Sequence, residues 1–367
     1  MIGASVTDRD PSAQLLLGRV LRPERPAALA AEYPLVFDGR FSGRVIAVEE
    51  QGLVRSGCGV LARDLLIDGA RLRVGLIGSV ATDVAWRGRG LAQRALDQAE
   101  EWLAAEGCAA ALLWADDPAF YGRRGYAALG RELDALVPAS ALAALGQDPG
   151  VRSYVREDAA AVHGWYTRHG TRVDRSAEET EALLACPGME TLVLQREREV
   201  VAYACLGRGA DFAGTVHEWG GEADDVLALL GEHARRARAR NHHGPIAVIA
   251  PPEAARLVER LAALDARIST GVLALGKVLL PEPLCALIRR FASPWQAEWD
   301  PQALPGSRAG VVLRGPRGGS EITAEQLLAT LFAARGDRSQ VRELEAALGA
   351  PAPRLPLAPF LWGLDSI

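Results

Sequence analysis

A glycine-containing segment between residues 80 and 93 has the residue types and spacing to bind a phosphate group. It reads VATDVAWRGRGLAQ, with a strand pattern before it and a helical pattern after it. At such a junction several backbone N–H groups point the same way at the positive end of a helix, which favours an anion such as a pyrophosphate. Gly88 and Gly90 allow close backbone approach and unusual dihedral angles. Neither a P-loop nor a dinucleotide fingerprint is present, since no Gly-Lys-Ser/Thr follows and Gln93 stands in place of the third glycine.

A second candidate segment follows about 30 residues later, where residues 120–126 read FYGRRGY. Together the two segments resemble the GNAT acetyltransferase superfamily. Arg87-x-x-Gly90-x-Ala92 fits the (R/Q)-x-x-G-x-(G/A) loop for the pyrophosphate of acyl-CoA, and residues 121–126 fit the Tyr-x-x-x-Gly-(Phe/Tyr) element. An ordinary glycine-rich turn is the alternative for the first segment alone. Both segments at this spacing, with a helix and a strand between them, favour the acetyltransferase interpretation.

The elements that must hold the glycine loop are predicted from hydrophobic periodicity. Strand patterns cover residues 44–49, 52–61 and 73–82, and Asp68-Gly69 predicts a tight turn. A helix is predicted over 91–106 because apolar residues recur every four positions, and Gly107 is a good helix stop. That apolar face consists of Leu91, Ala95, Ala99 and Leu103. A buried strand over 109–114 and a short helix around 118–125 complete the predicted elements of this part.

The same order of elements recurs more weakly between residues 151 and 270, and an internal duplication is the simplest explanation. The predicted elements are a hairpin over 191–206, strands over 214–219 and 245–250, and helices over 225–240 and 252–264. In place of the glycine loop this copy reads GGEADD over 220–225, whose acids would repel a phosphate. We therefore expect a catalytically inactive copy that forms a wall of the substrate pocket and an oligomer contact. Its acids either attract a cationic substrate or form a solvated helix start, which favours acids: Glu218, Glu222, Asp224 and Asp225.

The remaining residues mix short strands with a predicted helix over 323–334, and the glycine-rich loop at 314–319 predicts a hairpin turn. The three-part organisation resembles the enhanced-intracellular-survival (Eis) acetyltransferases. That resemblance implies an α/β fold with mixed sheets: a catalytic GNAT domain over 1–148, a degenerate GNAT domain over 149–270, and a small α+β sterol-carrier-like domain over 271–367. The last part is shorter than a full sterol-carrier fold, so we do not expect it to bind lipid.

The GNAT resemblance also implies roles for individual residues. Backbone groups of Val80, Ala81 and Thr82 would bind the pantetheine and thioester of acetyl-CoA. The pyrophosphate would bind to Arg87, Gly88, Arg89, Gly90, Leu91, Ala92 and Gln93. For Arg89 an exposed arginine is an equally good interpretation, and for Asp117, placed beside the cofactor, a capping role before Pro118 is one too. Tyr121 matches the general acid of the family, because its hydroxyl can protonate a departing thiolate; a half-buried packing aromatic is the alternative.

The last eight residues, FLWGLDSI, are apolar where a free tail would be small and polar, so we expect them to be packed. In Eis-like enzymes the terminal carboxylate reaches the active site and helps to take the proton of the amine. The resemblance gives that role to the carboxylate of Ile367. A carboxylate is a weak base in water, so it would act through desolvation or a bridging water. A tail docked for stability alone is the alternative.

Composition excludes several other classes of protein. A hydrophobic content of 49% is globular, and a net charge of −5 does not favour nucleic-acid binding. Residues 1–14 lack the apolar core of a signal peptide, and the apolar stretch over 268–288 is interrupted by Lys277 and two prolines, so we expect no membrane span. Five scattered cysteines predict reduced thiols and a cytoplasmic protein without a metal site.

These observations predict an acetyl-CoA-dependent N-acetyltransferase that transfers the acetyl group directly to a primary amine. The Eis resemblance implies a small or peptidyl cationic substrate, which would be an aminoglycoside, a polyamine or a lysine side chain. The alternative is a non-catalytic acyl-CoA-binding or assembly protein in which Tyr121 is idle. The Eis resemblance implies a homo-oligomer of up to six subunits.

Overall fold

The computed structural model describes residues 2–7, 10–305 and 308–367 of the chain. The first part, up to residue 148, contains the segments that carry the predicted chemistry. Its elements are β1 (Ile2–Thr7), α1 (Pro11–Leu21), α2 (Ala28–Glu32), α3 (Pro34–Phe37), β2 (Arg44–Glu50), β3 (Leu53–Ile67), β4 (Ala70–Thr82), α4 (Leu91–Ala105), β5 (Ala110–Leu113), α5 (Pro118–Gly122), β6 (Ala127–Leu129), β7 (Glu132–Val137) and α6 (Ala139–Ala143).

The rest of the chain continues with alternating strands and helices. The second part contains β8 (Val151–Ser153), α7 (Ala159–Tyr166), β9 (Arg172–Val173), α8 (Ala177–Leu184), β10 (Glu190–Arg196), β11 (Glu199–Arg208), β12 (Asp211–Gly220), α9 (Ala223–Ala239), β13 (Ile246–Ala250), α10 (Ala255–Ala262) and β14 (Arg267–Gly271). The third part contains β15 (Ala274–Val278), α11 (Pro281–Phe291), β16 (Gln296–Leu304), β17 (Arg308–Gly315), β18 (Gly318–Ile322), α12 (Ala324–Phe332) and α13 (Ser339–Leu348).

Two large mixed sheets repeat one arrangement. The first sheet has the order β1-β2-β3-β4-β5-β15-β6, with β9 beside β3, and the second has the order β14-β7-β13-β12-β11-β10-β8. In the first, three antiparallel strands (β2, β3, β4) lead through α4 to the parallel strand β5. In the second, β10, β11 and β12 lead through α9 to the parallel strand β13. The predicted mixed α/β fold is confirmed, and its repetition is consistent with the predicted duplication.

Local patterns placed the two long helices correctly. The predicted apolar face of α4 is buried, with each of its four residues at most 1% exposed. Gly107, with φ +81°, ends that helix in the left-handed conformation that glycine adopts readily. The predicted strand over 52–61 is too short, because β3 stays paired with β4 as far as the Asp68-Gly69 turn, where Ile67 faces Ala70.

Hydrogen-bonded strands cross both of the predicted domain boundaries. β7 lies in the second sheet between β14 and β13, although it precedes residue 148. β15 lies in the first sheet between β5 and β6, although it follows residue 271. The three-part division therefore stays a prediction, and the sheets that form the core are each built from more than one part.

The third part contains a small antiparallel sheet, β16-β17-β18, and its predicted hairpin turn joins β17 to β18 where Gly315 faces Gly318. Its relation to sterol carrier proteins stays a prediction. The tail after α13 is packed as expected, and Phe360, Trp362 and Leu364 are fully buried. Across the described ranges, we find no helix that is both long and apolar enough to cross a membrane.

Candidate active site

A bulge in β4 opens the first sheet beside the predicted site. Ser79 and Val80 of β4 together face the single residue Cys58 of β3. Ser79 has φ +52°, a left-handed conformation that residues other than glycine rarely adopt. A bulge bends its strand, and β4 pairs with β5 only from Val74 to Leu76. Beyond Leu76, β4 therefore separates from β5 and leaves backbone groups without a partner strand on that side.

The loop after β4 presents unpaired backbone donors. Gly88 and Gly90 have φ +75° and +76°, and no atom lies within 4 Å of where a Cβ would stand on either. Gly90 is the N-cap of α4 and supplies no capping side chain. Within the described chain, the backbone N–H groups from Gly88 to Gln93 have no hydrogen-bond acceptor. Unpaired donors at the positive end of a helix are the arrangement that binds a pyrophosphate.

A cavity of about 560 Å³ lies over this loop. All but two of the predicted cofactor-binding residues line it: Val80, Ala81, Thr82, Arg87, Gly88, Gly90, Leu91, Ala92 and Gln93. Val20 and Leu21 of α1 close the cavity together with Trp86 and Phe120, and no local motif indicated this part of α1. The structure thus brings the predicted residues together, and their binding of acetyl-CoA stays a prediction.

Arg89 and Asp117 lie outside that lining. The guanidinium of Arg89 stacks on the ring of Trp86 at 4.4 Å. The side chain of Asp117 accepts hydrogen bonds from the backbone N–H groups of Ala119 and Phe120 at 3.1 and 3.3 Å. Asp117 therefore has the capping role that the sequence left open, because it precedes Pro118 at the start of α5.

Tyr121 is half-buried on α5 at the edge of the core that contains Cys58. Its ring meets Phe120 and Tyr126 edge-on, at centroid distances of 5.0 and 5.9 Å. Burial raises the pKa of Tyr121, so its hydroxyl keeps its proton at neutral pH. Among the described residues that hydroxyl has no hydrogen-bond partner, whereas the hydroxyl of Tyr126 bonds to Glu100 at 3.1 Å. Tyr121 thus has the environment of a proton donor, and its catalytic role stays a prediction.

The C-terminal carboxylate lies at the bulge of β4. A Cβ on Gly78 would overlap the carboxyl carbon and an oxygen of Ile367, so the chain end contacts Gly78 directly. The side chain of Ile367 packs in the small core that contains Ala81. The terminal carboxylate therefore lies one residue from Ser79 and beside the strand that lines the 560 Å³ cavity.

A second cavity, of about 330 Å³, has the chain end in its wall. Its lining combines aromatic, aliphatic and acidic residues: Tyr33, Trp114, Glu132, Asp211, Phe212, Ile249, Leu361, Gly363, Ser366 and Ile367. Asp211 is compensated by Arg22 and by the hydroxyl of Tyr33, each at 2.5 Å. Glu132 has no hydrogen-bond or ion-pair partner in the described chain. Burial, together with the nearby Asp134 carboxylate, raises the pKa of Glu132 to about 8.

Sequence reasoning missed the residues of this second cavity. Glu132 and Asp134 alternate along β7, which is the signal of two acids on one face of a strand. The alternation alone does not predict a site, because the sequence does not show that β7 joins the second sheet and so brings Glu132 to this cavity. Trp114 follows β5 and donates its indole N–H to the carbonyl of Leu273 at 2.7 Å, a contact between distant parts of the chain.

One expectation about the second copy is wrong. Glu218 is fully buried instead of forming a solvated helix start. It lies within β12, where it pairs with Arg175 and accepts a hydrogen bond from the hydroxyl of Tyr203 at 3.1 Å. A buried carboxylate needs such partners to offset its desolvation. Asp224, by contrast, is exposed on α9 and pairs with Arg260 at 2.9 Å.

The cysteines have the properties of buried, unreactive thiols. All five are free and buried. Burial raises the pKa of Cys58, which faces the bulge, to about 12, so this thiol does not form the thiolate that a nucleophile requires. In the ranges that the structure describes, no cluster of three or more metal-ligating side chains occurs.

The bulged strand, the glycine loop at a helix start and the cavity above them form the arrangement that the GNAT resemblance predicts. A family model described as an acetyltransferase (GNAT) domain matches residues 16–129. This first part of the chain is therefore a GNAT acetyltransferase domain. A search of curated proteins found no match by sequence.

Solved structures extend the similarity in fold to the whole chain. A probable N-acyltransferase from Enterococcus faecalis V583 has a TM-score of 0.67 at 13% identity, with 100% of both chains covered. A GCN5-related N-acetyltransferase from Kribbella flavida has a TM-score of 0.62 at 15% identity, again over 100% of both chains. Eis1 from Mycobacterium abscessus has a TM-score of 0.57 at 14% identity, covering 100% of this chain and 99% of Eis1. The resemblance to the Eis architecture thus holds at the level of the fold.

Proposed function

We propose that this protein is an N-acetyltransferase that uses acetyl-CoA and transfers the acetyl group directly to a primary amine of a small or peptidyl cationic substrate. One observation carries the proposal: the carboxyl group of Ile367 lies against Gly78 beside the bulge of β4, and Ile367 itself lines a cavity with acidic and aromatic residues. The same strand continues from the bulge into the lining of the larger cavity with the unpaired donors. Ile367 contacts β4 and lines the smaller cavity, so it would lie between the proposed donor and acceptor sites.

The larger cavity has groups that suit two portions of acetyl-CoA, the charged pyrophosphate and the polar pantetheine. The unpaired N–H groups at the start of α4 would bind the pyrophosphate, and the backbone of β4 beyond Leu76 would pair with the amides of pantetheine. Gly88 and Gly90 leave open space over the loop, so the phosphates can approach the backbone closely. The thioester would then lie near Ser79 and the chain end.

Ile367 and Tyr121 would each transfer one proton during the reaction. The carboxylate of Ile367 accepts the proton of the attacking amine, directly or through one water, as the C–N bond forms. The C–S bond of the thioester then breaks, and the Tyr121 hydroxyl donates its proton to the departing sulfur. The products are the amide and the free thiol. Ile367 then releases the proton of the amine to solvent and Tyr121 recovers its own from solvent, so both groups return to their starting states. No cysteine takes part, in keeping with the raised pKa of Cys58.

The smaller cavity supports a cationic acceptor. Glu132 and Ile367 lie in its wall, and a bound cation would favour the ionised form of the Glu132 carboxyl group. Trp114 and Phe212 supply aromatic surfaces that attract cations. Asp211 is already paired with Arg22, so Glu132 is the carboxylate with capacity for an incoming ammonium group.

The test is release of free thiol from acetyl-CoA with a panel of amines: an aminoglycoside, a linear polyamine and an Nα-acylated lysine. We expect turnover with at least one of them. Tyr121→Phe should lower kcat by about 100-fold or more while the Kd for acetyl-CoA changes less than about twofold. Tyr126→Phe is the matched control, because it removes a neighbouring hydroxyl that is already bonded to Glu100. Tight acetyl-CoA binding without turnover on any amine would instead favour the non-catalytic acyl-CoA-binding protein.

A further inference from the structure

Arg208, at the end of β11 in the second part of the chain, is one of the largest fully buried side chains in the described structure. Its guanidinium donates hydrogen bonds to backbone carbonyls on both sides of the terminal turn: Gly363 at 2.9 Å and Ser366 at 3.0 Å. Its Nε donates to the carbonyl of Glu32 at 3.0 Å. Arg208 therefore ties the second part of the chain to the first part and to the last residues of the tail.

The bonding of Arg208 is unusual for a buried cation. In the described chain it has no carboxylate within ion-pair distance, and its guanidinium lies over the ring of Tyr33 at 4.3 Å. A buried charge is costly unless it is well hydrogen-bonded, so three backbone carbonyls and the Ser366 hydroxyl, at 3.3 Å, must compensate it. Two of those carbonyls belong to residues 363 and 366. If the tail moved, the buried guanidinium would lose two hydrogen bonds, so its burial favours the observed position of the tail.

The neighbouring tail residue is held from the same side. Asp365 accepts a hydrogen bond from the hydroxyl of Tyr166 at 2.8 Å, and its carboxylate lies 3.4 Å from Arg175. Both partners belong to the second part of the chain. Ile367 alone extends past these contacts to Gly78 of the first sheet.

We propose that Arg208 is a positioning residue that fixes Ser366 so that the terminal carboxylate of Ile367 stands at the bulge of β4. The second copy thus contributes to the transfer step without binding acetyl-CoA. The proposal rests on the proposed function for its effect on catalysis, but the anchoring of the chain end is independent of that function. A displacement of about 1 Å in a reacting group costs on the order of 100-fold in rate, so loss of the clamp should lower kcat strongly.

The first measurement needs no enzyme activity. Carboxypeptidase Y is added to the full-length protein, and release of Ile367 is followed by mass spectrometry. We expect Arg208→Gln to release Ile367 at least about tenfold faster than the wild type. Arg235→Gln is the matched control, since Arg235 is a half-buried arginine of α9 that bonds to Leu145 and Glu232 and does not touch the tail. Equal release rates in the wild type and Arg208→Gln would overturn the proposal, whether or not the protein turns over amines.

The second measurement is a double-mutant cycle on kcat, with Arg208→Gln and one glycine added after Ile367. If Arg208 acts through the terminal carboxylate, each change alone lowers kcat by about 30-fold or more, and the two together lower it no further. The KM for acetyl-CoA should stay within about twofold in all four proteins. Losses that multiply would show that Arg208 acts elsewhere and would contradict the proposal. Arg208→Lys keeps the buried charge and serves where Arg208→Gln does not fold; the same lack of additivity is expected.

Discussion

Glu132 is the acid of the smaller cavity whose charge no described cation compensates. Its pKa of about 8 means that the carboxyl group is largely protonated at pH 7 and ionised above pH 8. The cause is burial first and the Asp134 carboxylate second, and both disfavour the charged form. An incoming cation offsets both effects, so the charge on Glu132 should govern how well a cationic amine binds.

Glu132→Gln should therefore raise the KM for a cationic acceptor by about tenfold at pH 9, which corresponds to about 1.4 kcal/mol. In the wild type, that KM should fall as pH rises from 7 to 9, because the carboxylate forms over this range. The variant should show no such fall. An acceptor that carries a permanent quaternary ammonium beside its primary amine gives the cleanest measurement, since its own second charge does not titrate.

An uncharged amine of the same size is the control for this prediction. Its KM should be equal in the wild type and in Glu132→Gln, because no cation pairs with Glu132. If the quaternary substrate also shows equal KM values in the two proteins at pH 9, Glu132 does not bind the acceptor.

Residues with local motifs could be predicted from the sequence, and residues that act through the fold could not. The glycines at 88 and 90 and the tyrosine at 121 belong to short patterns whose spacing is set within one strand–loop–helix unit. Arg208 gives no such signal, because the carbonyls that it binds lie at residues 32, 363 and 366. The terminal carboxylate was predicted from the Eis resemblance, and the structure adds its contact with Gly78.

At the scale of elements, the bulged strand β4 lines the larger cavity and contacts the chain end. Gly78 precedes the bulge and leaves the space that the chain end occupies. Gly78→Ala would place a methyl group where the carboxyl group of Ile367 now stands. The added Cβ must therefore displace the chain end or distort the strand.

We expect Gly78→Ala to lower kcat by at least about tenfold, because the terminal carboxylate is moved from the bulge. The Kd for acetyl-CoA, measured by calorimetry, should change much less, since the glycine loop is untouched. Gly122→Ala is the matched control: no atom lies within 4 Å of where its Cβ would stand, and its φ is not positive. A kcat for Gly78→Ala equal to that of the control would mean that the chain end has no role in transfer.

The start of α4 yields a prediction in which stability and binding change in opposite directions. Gln93 lies in the first turn of that helix, which carries no acid. Gln93→Glu should stabilise the free protein by about 0.5 kcal/mol through the helix dipole, while repulsion raises the KM for acetyl-CoA about fivefold. Thermal unfolding and initial rates measure the two effects. With a short acetyl-pantetheine thioester, which has no pyrophosphate, the KM should not rise; an equal rise would place the pyrophosphate elsewhere.

Helices were easier to predict than strand partners. The periodicity of α4 and α9 records which face is buried, and that information is local. A strand pattern does not state which sheet the strand joins, so the positions of β7 and β15 could not be predicted. The position of β7 matters for the site, because β7 supplies Glu132 to the smaller cavity, and this residue was not predicted from the sequence.

At the scale of the whole molecule, the exchange of β7 and β15 makes the first two sheets interdependent. The first sheet contains β15 from the third part and β9 from the second. The tail runs from the third part of the chain to Gly78 in the first part, and Arg208 of the second part binds it on the way. Under the proposed function, the chemistry of the first part would depend on all three parts of the chain.

A fragment of residues 1–148 should accordingly fail to fold cooperatively. It would lack the strand between β5 and β6 and would leave β7 without either of its neighbours, which exposes backbone groups that are paired in the full chain. Circular dichroism should show a broad, weak thermal transition for the fragment and a sharp one for the full-length protein. A sharp transition in the fragment, with acetyl-CoA bound at the affinity of the full chain, would show that the first part is autonomous.

We propose above all that the chain terminus is part of the active site. Adding one glycine after Ile367 moves the carboxylate by one residue and leaves every side chain in place. The decisive measurement is kcat from thiol release with the best amine of the panel, alongside the Kd for acetyl-CoA. We predict a loss of about 30-fold or more in kcat with an unchanged Kd. A kcat equal to that of the unextended protein would contradict the claim and leave the tail with a purely structural role.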